Sequence, residues 1–349
     1  MPPQGSAASV LYAVSPIGLG HATRAAAIGL ELLRMGVDVR YAAGGAAADA
    51  LESYGFRVDR IVEGPNPIEV RGRVALPSLW YLRYWRSYNS NRKRMARLLE
   101  AERPDLVVGD EEFSSLSLAL ETGLKNAMVS DELQLGFARS PLSRAMEGRA
   151  RRWYEDLQRR VSCILVPDFG EDRGNVRHVT PVVRRVARGR EQLASEYGLP
   201  AGGSMVLFSM SGSGLGGRLA RAAVGAFRGL GLRDAFMVVT GGRRASWEGV
   251  HHLGVVRDNH ELVAAADLVI TSAGKSTIDE AASYGTPIIA IPFKHHFEQE
   301  RNAEAIGFRP EDIGRLDELI VQRLGRRTPP KDYQGAGRAA GMLAAMARA

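Results

Sequence analysis

The chain reads as α/β, with a doubly wound parallel sheet in each half and the two sheets facing a central cleft. Three observations carry this reading. Short apolar runs alternate with helix-length segments, as in strands buried on both faces. Small-residue turns directly follow several of the runs. A polar stretch without periodicity, 168–190, separates one such series from the next. In open α/β sheets ligands sit at the carboxyl ends of strands, at the point where strand order reverses, so the cleft between the halves is the expected site.

Taken in order, the first half shows strands at 10–15, 37–43, 57–62, 106–109, 127–130 and 163–167. Helices fall between them at 21–35, 46–54, 79–102, 114–122 and 141–160. The first helix carries Ala25, Ile28, Leu32 and Leu33 at helical spacing and stops at Gly36. The second half shows strands at 205–210, 235–240, 253–256, 268–271 and 287–292. Its helices are expected at 217–230, 259–266, 275–284, 297–306 and 316–324. The expected domains are 1–170 and 171–330, both Rossmann-like. The Ala/Gly/Arg-rich tail, 331–349, is expected as a helix that packs back on the first domain.

Bulk properties bound the classes. The 349 residues are 45% hydrophobic and 24% charged, enough for two ordinary cores. No window approaches a membrane span, and the first apolar run is too short for a signal peptide. The expected location is cytoplasmic, with peripheral attachment to the inner face of the cell membrane. The single cysteine, Cys163, excludes an internal disulfide framework and lies in an apolar run that suits a core thiol. The net charge of +7 is clustered, notably at Arg71, Arg73, Arg83, Arg86, Arg92, Lys93, Arg94, Arg97 and Arg103. Such density favours an anionic partner, although a solvated basic surface would look the same.

Four motifs follow strands. In Ser15-Pro-Ile-Gly-Leu-Gly-His-Ala-Thr-Arg24, Gly18 and Gly20 make a tight turn and His21 opens a helix. The dinucleotide fingerprint fails, because Thr23 occupies its third glycine position and no acid ends the second strand. A helix N-terminus should keep His21 neutral, and a neutral imidazole can take a proton from an attacking hydroxyl. Arg24 could hold an anion or an acidic neighbour, and a simple helix cap is the plain alternative for His21. In Phe208-Ser-Met-Ser-Gly-Ser-Gly-Leu-Gly-Gly217 small residues let main-chain N–H groups converge on a diphosphate, as at Ser213 and Gly214.

The third motif is the richest. Asp267 to Phe293 reads as buried strand, small-residue turn, helix, glycine stop and second buried strand. Gly274 lets the backbone approach a ligand, and the helix opening at Lys275 aims its N–H groups at it. Ser276 and Thr277 can donate to phosphate, and Glu280, one turn on, can reach a ribose diol. A Walker A loop is excluded because Val269 stands where its first glycine must be. The fourth motif, Pro292 to Ala303, places Gln299 and Asn302 on one helix face, where amides suit sugar hydroxyls. His295 and His296 lack the companions of a metal site, so no metal and no cofactor beyond the co-substrate is expected.

Together these residues resemble the GT-B nucleotide-sugar glycosyltransferases. They are similar to family 28, which includes MurG-type N-acetylglucosaminyltransferases, plastid galactolipid synthases and archaeal MurG-like proteins. The resemblance covers both halves, through Gly18-Leu-Gly-His21 and through 271–287 with Glu298-Gln-Glu-Arg-Asn-Ala303. It implies the following: Gly274 to Thr277 meet the donor diphosphate and sugar, and Glu280 holds the ribose. Gln299 and Asn302 address the sugar, and Ser213 and Gly214 line the phosphate pocket. Leu253 to Val256, Val255 among them, lies along a base that is usually uracil. Lys275 departs from the small or apolar residue common there, and the first glycine loop is sparser than the MurG pattern.

The expected reaction is inverting transfer from a UDP-sugar to an acceptor hydroxyl, with His21 or an acid of Asp110-Glu111-Glu112 as base. Trp80, Arg83, Tyr84, Trp85 and Arg86 mix rings with cations, which fits an anionic membrane surface and a lipid or lipid-linked acceptor. Stacking on single-stranded nucleic acid would use similar residues, but no specific nucleic acid is expected. The alternatives kept are a GT-B UDP-sugar 2-epimerase or hydrolase, and a non-catalytic nucleotide-sugar- or nucleic-acid-binding protein.

Overall fold

The computed structural model describes residues 8–17, 19–65, 68–70, 73–75, 77–131, 141–209, 217–242, 247–294 and 296–349. The chain divides into two compact units. One runs to Val182 and resumes at Gln334–Ala349; the other is Val183–Tyr333.

The first unit alternates β1 (Ser9–Val14), α1 (Leu19–Arg34), β2 (Asp38–Ala43), α2 (Gly45–Ser53) and β3 (Arg57–Arg60). A small hairpin, β4 (Ile68–Val70) and β5 (Arg73–Ala75), precedes α3 (Pro77–Glu102). Then come β6 (Leu106–Asp110), α4 (Phe113–Thr122), β7 (Asn126–Val129), α5 (Pro141–Arg160), β8 (Ile164–Val166) and β9 (Val176–His178). Seven strands form one parallel sheet in the order β3-β2-β1-β6-β7-β8-β9. Strand order reverses between β1 and β6, which therefore open a crevice at their carboxyl ends.

The second unit holds α6 (Arg190–Tyr197), β10 (Ser204–Ser209), α7 (Gly217–Gly229), β11 (Ala235–Thr240), β12 (Val250–Gly254) and α8 (Asn259–Ala265). It continues through β13 (Leu268–Thr271), α9 (Lys275–Tyr284), β14 (Ile288–Ala290), α10 (Phe297–Glu304) and α11 (Leu316–Arg323). Its five strands, all parallel, run β12-β11-β10-β13-β14, with the reversal between β10 and β13. Leu268, Val269 and Ile270 are fully buried, as a strand covered on both faces requires. The last helix, α12 (Gly335–Arg348), belongs to the first unit.

Two differences from the sequence reading have physical causes. The crossing between units falls at Val182/Val183 rather than at residue 170, because Val176–His178 adds the last strand to the first sheet. The 168–190 stretch is also less of a linker than its polarity suggests. Buried Glu261 accepts from the main-chain N–H groups of Ala187 (2.9 Å) and Arg188 (3.2 Å), tying this segment to α8.

The α12 helix is rich in alanine because it packs closely against α1. Ala339, Ala340, Leu343 and Ala344 join Ala22, Ala25 and Ile28 in one buried cluster. Leu343→Ala should therefore cost about 2–5 kcal/mol. Urea denaturation followed by circular dichroism checks this; an unchanged midpoint would detach α12 from the first core.

Candidate active site

At the reversal point of the first sheet, Asp110 ends β6 and is completely buried. A buried carboxylate must be paired, and three groups converge on it. His21, on the first turn of α1, places Nδ1 2.9 Å from Asp110 Oδ1. Arg24, one turn on, donates Nε–H to Oδ2 at 3.1 Å and an Nη2 hydrogen to Oδ1. The Tyr12 hydroxyl of β1 donates to Oδ2 at 3.3 Å. Arg24 also reaches past Asp110 to pair with Asp131, which follows β7.

Burial opposes charge on Asp110, yet Arg24 and the hydrogen bonds from His21 and Arg24 hold its carboxyl below the usual range. For His21, burial works against the imidazolium. Glu111 and then Asp110 outweigh it, and the net displacement is upward. The sequence expectation of a dipole-neutralised His21 is thereby corrected. A helix end is worth ~0.3–1 kcal/mol, whereas a unit charge at about 4 Å is worth roughly 4 kcal/mol near a protein surface. With Nδ1–H given to Asp110, neutral His21 carries its lone pair on Nε2, 3.6 Å from Glu111 Oε2.

Glu111 sits in a left-handed backbone conformation, φ +47°, which is strained for a residue with a side chain. Burial raises its carboxyl above the ordinary value. Glu112 is used differently. It caps α4 by accepting from Ser114 N (3.1 Å) and Ser115 N (2.8 Å). Beside this cluster a pocket is lined by Ser15, Pro16, Glu63, Tyr84, Tyr88 and Glu111 among others.

The second unit presents its own reversal point. The β13 strand leads into Ala273, whose φ of +63° turns the chain, and Gly274 caps α9. Asn302 donates Nδ2–H to the Ala273 carbonyl (3.3 Å), and Gln299 Oε1 accepts from Phe293 N (3.1 Å). Both amides, buried on α10, therefore brace the two turns that flank the helix opening. Lys275 pairs with Asp279 one turn on, Nζ lying 2.6 Å from Oδ2. Ser276 and Thr277 are half-buried. Glu280 is buried and receives two hydrogen bonds from Arg184 on one oxygen, Oε1: 2.9 Å from Nε and 2.7 Å from Nη2. Val255, after β12, is exposed.

Other parts were missed in the sequence. Arg184 lies in a segment with no recognisable pattern. Asn259, at the opening of α8, joins the ends of two strands: it accepts from Thr240 (2.7 Å) and donates to Ser209 (2.9 Å). Buried polar residues closing apolar strands were the available signal. His260 beside them is pushed down to about 4, chiefly by burial and then by Arg184, so it stays neutral at neutral pH. Gly18, Ser213, Gly214 and His295 lie outside the described residues, and Gly20 is exposed on the first turn of α1.

On α3 the aromatic residues divide. Trp80 donates to Pro65 O (3.0 Å) and packs on Tyr84, while Trp85 stacks on Tyr88 yet stays 55% exposed. Leu79, Leu82, Arg83 and Arg86 share an exposed face at helical spacing. Among the described residues no helix is long and apolar enough to cross a membrane.

Residues 240–313, which carry the β13 turn, α9 and the bracing amides, match the glycosyltransferase family 28 C-terminal domain. The second unit thus carries a family 28 glycosyltransferase signature, on a fold shared with the GT-B glycosyltransferases. It is 28% identical over 286 residues to an uncharacterised glycosyltransferase of Methanopyrus kandleri, covering 75% of this chain and 80% of that one. It is 28% identical over 259 residues, 64% of each chain, to a Deinococcus deserti enzyme. That enzyme is named UDP-N-acetylglucosamine–N-acetylmuramyl-(pentapeptide) pyrophosphoryl-undecaprenol N-acetylglucosamine transferase. The glycotransferase of kitacinnamycin has the same fold, with a TM-score of 0.65, 18% identity and coverage of 98% and 95%. These likenesses favour transfer over the epimerase or hydrolase alternative.

Asp110→Ala leaves the Arg24 guanidinium buried without its main partner. A loss of about 3–5 kcal/mol is expected. Chemical denaturation measures it, and a loss below about 1 kcal/mol would mean that the pair contributes nothing net to stability.

Proposed function

We propose that this glycosyltransferase moves a sugar from a UDP-sugar to an acceptor hydroxyl with inversion, and that His21 is the base. The observation that supports this best is the Asp110–His21 pair at the reversal point of the first sheet. Asp110 receives Nδ1–H, fixes the tautomer and compensates the imidazolium that forms when Nε2 takes the acceptor proton. As the oxygen attacks the anomeric carbon, the bond to the diphosphate breaks. Main-chain N–H groups at the opening of α9, with Ser276 and Thr277, meet the leaving negative charge. No metal ion is needed in this scheme. Glu280 holds the ribose diol; since Arg184 occupies Oε1, the diol falls to Oε2. Val255 lies along the base, and Gln299 and Asn302 set the turns that face the donor sugar. A UDP donor agrees with the Deinococcus deserti relative's name.

For the acceptor we propose a lipid or lipid-linked hydroxyl met at an anionic membrane from the cytoplasmic side. The exposed Leu79, Leu82, Trp85, Arg83 and Arg86 supply apolar area beside cations, and the pocket at Tyr84 and Tyr88 receives the acceptor group.

Two outcomes test the reading. His21→Gln should lower kcat by about 10²–10⁴. In the parent, kcat/KM should fall as pH drops through a His21 pKa displaced above its ordinary value, because protonation consumes the base. A variant with full turnover would remove His21 from the scheme. UDP-sugars should raise the melting temperature by mass action, and Glu280→Ala should abolish the rise. A flat response across UDP-sugars would overturn the donor assignment.

A further inference from the structure

We propose that Arg24 is a positioning residue for the base, orienting Asp110 toward His21 while Asp131 anchors the far side of the guanidinium. The argument begins with geometry. A lone carboxylate can rotate and offer either oxygen to an imidazole. Here the fork of Arg24 spans both oxygens of Asp110, Nε to Oδ2 and Nη2 to Oδ1. That fixes the plane of the carboxylate and presents Oδ1 to His21 Nδ1 at 2.9 Å. The remaining arm of Arg24 binds Asp131, so the guanidinium is held at both ends. The segment after β7 is thereby joined to the end of β6 and the first turn of α1.

The same placement has an electrostatic effect. Arg24 Nη2 lies 3.0 Å from His21 Nδ1, a cation beside the group that must become an imidazolium. The groups facing His21 are Asp110 and Glu111 from the end of β6 and Arg24 from α1. Tyr12 from β1 acts through Asp110, and Asp131 acts through Arg24. Arg24 is the cation set among these carboxylates, and its field opposes the rise that Glu111 and Asp110 impose on the imidazole. Without it His21 would hold its proton to higher pH and serve as base over a narrower range.

The role rests on His21 being the base, so the test separates the two claims. Histidine NMR titration of the full chain reads His21 directly, its signal assigned by loss in His21→Gln. Arg24→Met should move the titration midpoint to higher pH. Asp131→Asn, at a half-exposed position that tolerates change, should move it to lower pH by releasing the full Arg24 field. Arg24→Lys should keep the midpoint near the parent's. In parallel, UDP release from UDP-N-acetylglucosamine should fall about tenfold in Arg24→Met and recover in part with lysine. If Arg24→Met does not fold, the Asp131→Asn titration decides. A midpoint that does not move in folded Arg24→Met or in Asp131→Asn would overturn the positioning role, whatever the rates. Full UDP release by His21→Gln would instead sink the base assignment and leave the titration result standing.

Discussion

A charged carboxylate buried at the end of a central strand governs the first unit. Placing Asp110 out of water costs several kcal/mol, and that cost is tolerable only if the surrounding groups are opposite in charge and correctly aimed. The chain meets the requirement from four directions: β1 with Tyr12, the opening of α1 with His21, its next turn with Arg24, and the segment after β7 with Asp131 behind Arg24. Asp110, His21 and Arg24 sit at the end of β6 and the opening of α1, where strand order reverses, so the sheet topology assembles the centre of the cluster. The strained backbone at Glu111, one residue beyond the strand, adds a second carboxyl on the other side of the imidazole. Such concentration of perturbed groups at a strand end is the usual mark of chemistry rather than of support.

The second unit solves a different problem with a different set of groups. The opening of α9, capped by Gly274, leaves main-chain N–H groups free of helical partners. Holding that turn still falls to residues that need not touch the ligand. Asn302 braces the Ala273 carbonyl, Gln299 braces Phe293, and Asn259 joins the ends of β10 and β11. Glu280 is likewise held in place by Arg184 rather than left in solvent. Preorganised dipoles of this kind need no rearrangement as charge develops.

Much of the architecture was legible in the sequence because it is written locally. Buried parallel strands are apolar runs, and the Asp267-to-Phe293 stretch shows its turn, helix and glycine stop in residue order. Gly285 at φ +70° closes α9 where an added side chain would meet Thr328 O. Short elements were not legible. The α6 helix buries only Leu193 and Ala194, and β9 has three half-buried residues, too little for a period. Long-range pairings were also hidden. His21 and Asp110 appeared separately as alternative bases, and the fold joins them across 89 residues. Arg184 meets Glu280 across 96. The upward displacement of the His21 imidazole comes from Glu111 and Asp110, which is why a helix-end argument gave the wrong sign.

The α12 helix also bears on biosynthesis. A ribosome emits the β1-to-β9 sheet early, but the residues that close its alanine-lined seam are translated only after the whole second unit. Until then the nascent first unit keeps an apolar stripe of α1 uncovered while the second unit's own core segments are already made. Synthesis and completion thus run in opposite order, and the apolar surface left open in the meantime is the kind that invites misassembly.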